Sequence, residues 1–217
     1  MNQTDVTSEK LAAQTTIQRI LTTAIEAFAD KGFAGARMDE IAKAAGVNKA
    51  TIYYHVGNKE ALYSAVLHET LGQQADEFIA QVDDLESPED KLRCYVRCIV
   101  ANIQRHPALP RILMREIASM GSHLPAQTIG DMARIIGLLT QILADGRAAG
   151  AFVDATPVLI HFMIVGALGY YAQTEAILRR HAADPAFNHP EIAPFEVAAG
   201  EIENLVVNAV RRNPFDD

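Results

Sequence analysis

The sequence predicts an all-α protein of about nine helices, a small three-helix head followed by a larger helical body. Three observations predict it. Apolar residues recur three and four apart along most of the chain, the period of a buried helix face. Helix-start chemistry precedes several of these stretches, as in Ser87-Pro88-Glu89-Asp90 and Thr156-Pro157. The run MDEIAKAAGVNKATIYYH, residues 38–55, reads as two short helices joined by a tight turn.

Composition narrows the class. The chain has 217 residues, 49% of them apolar, enough for one large domain or two small ones. Residues 1–10 are polar and mildly acidic, unlike a signal peptide. The longest apolar segment, 158–172, holds His161 and two tyrosines and is shorter than a membrane span. Two cysteines make no disulfide framework. A soluble cytoplasmic protein with no membrane association is expected. The net charge is −8, but it is unevenly placed. Residues 1–63 hold seven basic and seven acidic side chains, and the other 154 hold 12 and 20. Lys43, Lys49 and Lys59 cluster locally in the neutral part. Charge alone leaves nucleic-acid binding open.

Residues 1–9 lack periodicity and are expected outside regular structure. A first helix over about 10–30 carries the stripe Ile17, Ile20, Leu21, Ala24, Ala27 and Phe28. Gly32 stops it, and Phe33 plugs the base of a small core. In the next helix Ile41, Ala42 and Ala45 share a face. Gly46 ends it by accepting a left-handed backbone, and Asn48 caps the helix that follows. There Ile52 faces inward, while Lys49, Ala50, Thr51, Tyr53, Tyr54 and His55 form a reading surface. In a helix-turn-helix this second helix enters the major groove of DNA. The alternative for Tyr53 and Tyr54 is that one or both are core aromatics.

The run GFAGARMDEIAKAAGVNKATIYYHVGNKEALYSAV, residues 32–66, resembles the DNA-binding domain of TetR-family transcriptional regulators, and the match reaches back to about Ile17. It rests on Gly32-Phe33, Ile41-Ala42, Ala45-Gly46-Val47, Lys49, Thr51, residues 53–55, Asn58-Lys59-Glu60, Leu62 and Tyr63. The resemblance implies a homodimer, most often a repressor, with a DNA-binding head over 10–57 and a ligand-binding and dimerisation body over 58–213. It implies that Lys49 and the tyrosines lie close to the duplex and that Lys59 meets a phosphate, as a lysine at a helix start can. Ala36 and Arg37 depart from the family pattern, which has hydroxyl residues there. Arg37 cannot cap in the same way but can reach a phosphate with its fork.

A helix over 58–82 links head to body. The helix from Pro88 to about 104 places Cys94 and Cys98 on one face. They are either a buried inert pair or a metal or oxidant site, and no third ligand stands nearby. A short helix over 109–120 is expected to turn Met114 and Ile117 inward and to leave Arg115 and Glu116 at the surface. The helix over 126–144 carries Ile129, Met132, Ile135, Ile136, Leu139, Ile142 and Leu143. The next, over 157–180, is apolar nearly all round between 158 and 167 and is expected to be buried on most faces. Residues 181–194, with Pro185, Pro190 and Pro194, read as a loop. The last helix carries Phe195, Ala198, Ala199, Ile202, Leu205, Val206 and Ala209. Pairing the last two helices with those of a second copy predicts a four-helix interface built from Val165, Gly169, Ala198, Ile202, Leu205, Val206 and Ala209.

Met114, Met132, Phe152, His161, Phe162 and Tyr170 are the candidate lining of an effector pocket, and the same residues would also build a solid core. His161 is either a ligand-orienting imidazole or a core histidine. The sequence has no Gly-rich phosphate loop, no HExxH and no Gly-x-Ser-x-Gly, and its seven histidines stand singly. No catalytic residues, metal or cofactor are expected. The expected partners are a palindromic DNA operator, a second copy of the chain and a small apolar or aromatic effector. The competing reading is a helical protein-interaction adaptor that binds neither DNA nor effector.

Overall fold

The computed structural model describes residues 3–182 and 192–212. Pro185 and Pro190 of the expected loop lie outside the described residues. Among those described, every regular element is helical apart from one antiparallel bridge between Phe152 and Arg211. The chain divides into two compact units, one of Met1–Gly72 with Arg111–Gly130 and one of Gln73–Pro110 with Asp131–Asp217.

In the first unit, helix α1 spans Gln3–Gly35. It therefore begins earlier than the expected residue 10, because a polar stretch without a stripe can still extend a helix nucleated by the apolar turns after it. Gly32 interrupts it with φ 68° and ψ 176°, a conformation that sterically disfavours any residue with a Cβ. Helix α2 is Met38–Ala44, α3 is Lys49–His55 and α4 is Lys59–Leu67. Their core contains Ile20, Ala24 and Phe28 of α1, Ile41 and Ala42 of α2, Ile52 of α3, and Leu62, Tyr63 and Val66 of α4. Phe28, Phe33 and Tyr63 form an aromatic cluster, the closest pair edge-on at 4.8 Å.

The expected single helix over 58–82 is α4, then a π-helical turn at His68–Gly72, then α5 at Gln73–Asp83. Taken as one continuous helix, these three bring the total among the described residues to nine. The buried Thr70 hydroxyl donates to the Val66 carbonyl at 2.9 Å, competing for an acceptor of the regular ladder where the turn widens.

In the second unit, α6 spans Pro88–Arg105, capped by Ser87 with proline in its first turn. Helix α7, Leu109–Ala118, falls mostly in the first unit, as does the first turn of α8, Ala126–Ala148; α9 is Pro157–His181 and α10 is Phe195–Val210. The core of the second unit joins Phe78 of α5, Tyr95 and Ile99 of α6, Leu139 and Ile142 of α8, Ile164 and Leu168 of α9, and Val207 of α10. Phe152, in the loop after α8, packs over Gly146. The ladder beside it is closed by Val153 N–H to the Val210 carbonyl at 2.8 Å and by Arg212 N–H to the Ala151 carbonyl at 2.9 Å. Glu203 is buried, which alone would raise its pKa. Hydrogen bonds from Arg97 and Arg93 at 2.8–2.9 Å outweigh that and hold it below the ordinary value.

His161 is a buried core group. Its Nδ1 lies 2.8 Å from the Tyr95 hydroxyl, and burial lowers its pKa from the ordinary 6.5. The unfolded chain therefore takes up the proton more readily. The stability this residue contributes is complete above about pH 6.5 and is lost as the pH falls below it. The thermal midpoint is expected to drop from about pH 7.5 to about pH 5.5. His161→Gln, which keeps a polar partner for Tyr95 but cannot titrate, is expected to flatten that dependence. Equal slopes for both proteins would refute the assignment.

Candidate nucleic-acid interface

The turn between α2 and α3 is built from local chemistry. Gly46 takes φ 66°, Val47 N–H reaches back to the Ala42 carbonyl at 3.0 Å, and the Asn48 carboxamide accepts from Thr51 N–H at 2.7 Å. The Thr51 hydroxyl also donates to that carboxamide, at 2.9 Å. The polar group of Thr51 is thus engaged in the cap. At the far end Gly57 takes φ 107° and Asn58 caps α4 through Ala61 N–H at 2.9 Å. The seven-residue α3 and the helix after it are thus each started by an asparagine that accepts from an N–H three positions on.

Ile52 alone of this helix is fully buried. Lys49 and Ala50 are exposed, Tyr53 is about half exposed and Tyr54 is 85% exposed. His55 is half-buried, with its ring edge-on to Tyr54 at 4.9 Å. The Lys49 ammonium lies 5.8 Å from the Tyr53 ring centre. A protein core gains nothing from two outward tyrosines beside a lysine, whereas aromatic rings and an ammonium suit sugars, thymine methyls and phosphates. Of the two readings of Tyr53 and Tyr54, the geometry is that of outward groups.

Arg37 precedes α2 and makes no cap, as its side chain dictates. Its guanidinium forks onto Asp39, with both contacts at 3.3 Å, so reaching a phosphate means exchanging Asp39 for it. Lys59 donates to the Ala34 carbonyl at 3.2 Å and its ammonium sits 4.7 Å from the Phe33 ring centre. The local sequence does not signal this platform, because its two partners lie 25 and 26 residues before Lys59.

Helix α7 is turned opposite to the expectation from its apolar residues. Met114 and Ile117 face outward, while Leu109, Ile112 and Glu116 are buried. Glu116, expected at the surface, is 3% exposed and accepts from the Tyr63 hydroxyl at 2.7 Å. An apolar stripe and a polar stripe run along the same short helix, and periodicity cannot say which one the core takes when a carboxylate has donors waiting. Arg115 donates to the carbonyls of Ala29 and Asp30, at 2.8 and 2.5 Å.

The effector candidates fall in both units. Met114 belongs to the first unit and is exposed. In the second, Phe152 and His161 are buried, Met132 is half-buried, and Phe162 and Tyr170 are exposed. Helix α9 is thus not buried on most faces. Ile160, Ile164 and Leu168 enter the core, while Leu159, Phe162, Met163 and Tyr170 line the opposite side. A cavity of about 210 Å³ lies elsewhere, lined by Phe78, Gln81, Arg97, Cys98, Asn102 and Arg105 among others. Of the interface candidates, Leu205 and Ala209 face outward, Val165 and Ile202 are half-buried, and Gly169, Ala198 and Val206 are buried within the protomer. The two thiols of α6 stand 4.0 Å apart, and burial, with Cys94 alongside, pushes the Cys98 thiol up to about 12. That keeps it protonated and unreactive. Among the described residues no three potential metal ligands cluster, and no helix is long and apolar enough to cross a membrane.

Comparison with known proteins agrees with this geometry. Residues 20–66 match the family model described as bacterial regulatory proteins, tetR family, and residues 88–191 match a tetracyclin repressor-like C-terminal domain. The chain is 31% identical over 163 residues to the HTH-type transcriptional repressor NicS of Pseudomonas putida, covering 73% of this chain and 76% of that one. It is 26% identical over 196 residues to the HTH-type transcriptional regulator RutR of Escherichia coli K12, covering 88% and 89%. Among solved structures, AibR in complex with isovaleryl coenzyme A and operator DNA superposes with a TM-score of 0.65 at 21% identity, covering 88% of this chain and 97% of that chain. That likeness concerns the fold.

Proposed function

The chain belongs to the tetR family of bacterial transcriptional regulators, and from that premise we propose that it is a homodimeric repressor, released from a palindromic operator by a small apolar or aromatic effector. In this reading residues 10–57 hold the DNA and residues 58–213 hold the effector and the second copy. One observation carries the DNA half of the proposal. On a helix whose start is capped by Asn48, Lys49, Ala50, Tyr53 and Tyr54 face outward and only Ile52 is buried. A stable fold needs no such display, and groove contact does.

The four apolar side chains on the outer side of α9 support dimerisation, and α10 also exposes Val197 and Leu205. Two copies of one head then read two half-sites. The α5–α6 cavity is smaller than the roughly 300–1,000 Å³ of ordinary ligand pockets. An effector of ordinary size entering there would require the second unit to widen, and such a rearrangement is what can change the affinity for DNA. Mass spectrometry of the protein as purified from its host, followed by titration of any bound compound against the protein–DNA complex, tests the effector half. A coupling of about 1–3 kcal/mol would weaken DNA binding roughly 5- to 150-fold. DNA affinity indifferent to every compound that binds would refute release by an effector.

For the reading surface, a duplex selected from a random-sequence library serves as probe. Lys49→Ala and Tyr54→Ala are each expected to weaken binding by about 1–3 kcal/mol without loss of helicity, the range of a good base contact. Unchanged affinity in both would mean that this helix does not read the duplex.

A further inference from the structure

Lys59 is held by two neighbours, the Phe33 ring and the Ala34 carbonyl. Both follow the break at Gly32, where the backbone of α1 leaves the helical conformation. The direction of that short segment is therefore set apart from the rest of α1. A second stretch of the same unit, distant in sequence, holds it. Arg115 clamps the two carbonyls just before the break, and its Cδ would lie 3.6 Å from a Cβ at Gly32. The His123 ring stacks on Phe33 at 4.6 Å with the planes 28° apart. His123 is held in turn by its backbone N–H to the Glu116 carboxylate at 3.3 Å, and its Nδ1 lies 3.0 Å from the Ser122 hydroxyl. Glu116 is fastened to α4 through the Tyr63 hydroxyl. A carboxylate this buried is retained at a desolvation cost that its hydrogen bonds must offset, and here those bonds fix the loop that carries His123.

We infer that His123 is a positioning residue for DNA binding. Through its stack on Phe33 it holds Lys59 where the ammonium meets a backbone phosphate, and Glu116 holds His123. The inference rests on the proposal that Lys59 contacts DNA. Lys59 keeps two N–H donors beyond the one given to Ala34, so a phosphate can be added without breaking the platform. An ammonium ordered over a ring loses less freedom on binding than a free lysine.

The experiment is a double-mutant cycle between positions 123 and 59, read with the selected duplex over a series of salt concentrations. Lys59→Ala is expected to reduce the salt slope by about 0.9, the loss of one phosphate contact. His123→Ala is expected to weaken binding about three- to fivefold, the scale of one exposed cation–ring contact, and to reduce the salt slope in the same direction. The double variant is expected to bind no more weakly than Lys59→Ala alone. His123→Phe, which keeps the stack, is expected to restore the wild-type slope. Phe33→Leu, which removes the ring, is expected to behave like His123→Ala, and it decides the matter if His123→Ala does not fold. Unchanged binding by His123→Ala overturns the inference, as does a loss that multiplies with that of Lys59→Ala. A wild-type salt slope in Lys59→Ala removes the phosphate contact and the inference with it, while the DNA-binding reading stands. If the wild type selects no duplex at all, that reading itself fails.

Discussion

Phe162→Glu is expected to convert the protein from dimer to monomer and to remove most of its affinity for a palindromic operator. Phe162 is 58% exposed on α9, with Leu159 and Met163 beside it and Tyr170 two turns on. A phenylalanine so placed has no reason to face water, and burying it against a second copy contributes about 2 kcal/mol. Twofold symmetry enters every substitution twice. Each new carboxylate would lose its water without gaining a partner, at several kcal/mol per ion. The dissociation constant is expected to rise at least about a thousandfold, roughly 4 kcal/mol. Sedimentation equilibrium reads the result directly. The wild type should approach twice 23.6 kDa and the variant should not. A variant that stays dimeric, or a wild type that is monomeric at micromolar concentration, would refute this interface.

Val206→Glu separates the two faces of α10. Val206 is 4% exposed and packs within its own protomer. A charge there is expected to unfold the chain rather than split a dimer, visible as lost helicity in far-ultraviolet circular dichroism.

Gly146→Ala is expected to produce one of the largest losses of stability available from a single methyl group. A Cβ at Gly146 would stand 2.0 Å from Cδ2 of Phe152 and 2.7 Å from its Cγ. The Cγ contact matters most, because rotating the ring cannot move the base of the side chain away. Phe152 would have to leave a site where it is 2% exposed and where its backbone pairs with Arg211. Overpacking of this kind costs about 1–3 kcal/mol, and loss of a buried phenylalanine costs about 3–5 kcal/mol. Against this, alanine gains about 1 kcal/mol of helix propensity over glycine. A net loss of about 2–3 kcal/mol should lower the melting midpoint by roughly 4–12 °C in a chain of this size. Phe152→Leu in the same chain is expected to recover part of it, since residues in contact do not act additively. A midpoint raised by Gly146→Ala would mean that propensity governs and that the contact yields.

Some of this protein was decided by residues within a few positions of one another, and there the sequence sufficed. Gly46 supplies a left-handed turn, Asn48 and Asn58 each cap a helix three residues ahead, and Ser87-Pro88 starts another. The spacing of Ile41, Ala42, Ala45 and Ile52 then leaves one way to bury the head, and Lys49, Tyr53 and Tyr54 remain outside. All-α architecture and the helix-turn-helix follow from such short-range rules.

Tertiary structure alone decided the rest. Helix α9 is apolar on two sides, and composition does not say which side the protomer keeps. Only the positions of α6 and α10 show that Ile160, Ile164 and Leu168 go in while Phe162 and Tyr170 stay out. For the same reason the sequence does not show that Phe162 and Tyr170, candidates for a pocket, stand on the outer side of α9, or that Val206, an interface candidate, is covered within the protomer. Glu116 is buried because Tyr63, 53 residues away, brings it a hydroxyl. Lys59 rests on Phe33, and Phe33 on His123, across turns that no local period connects. Periodicity reports only that a side chain will be covered. What covers it depends on a partner whose distance along the chain is unrelated to its distance in space.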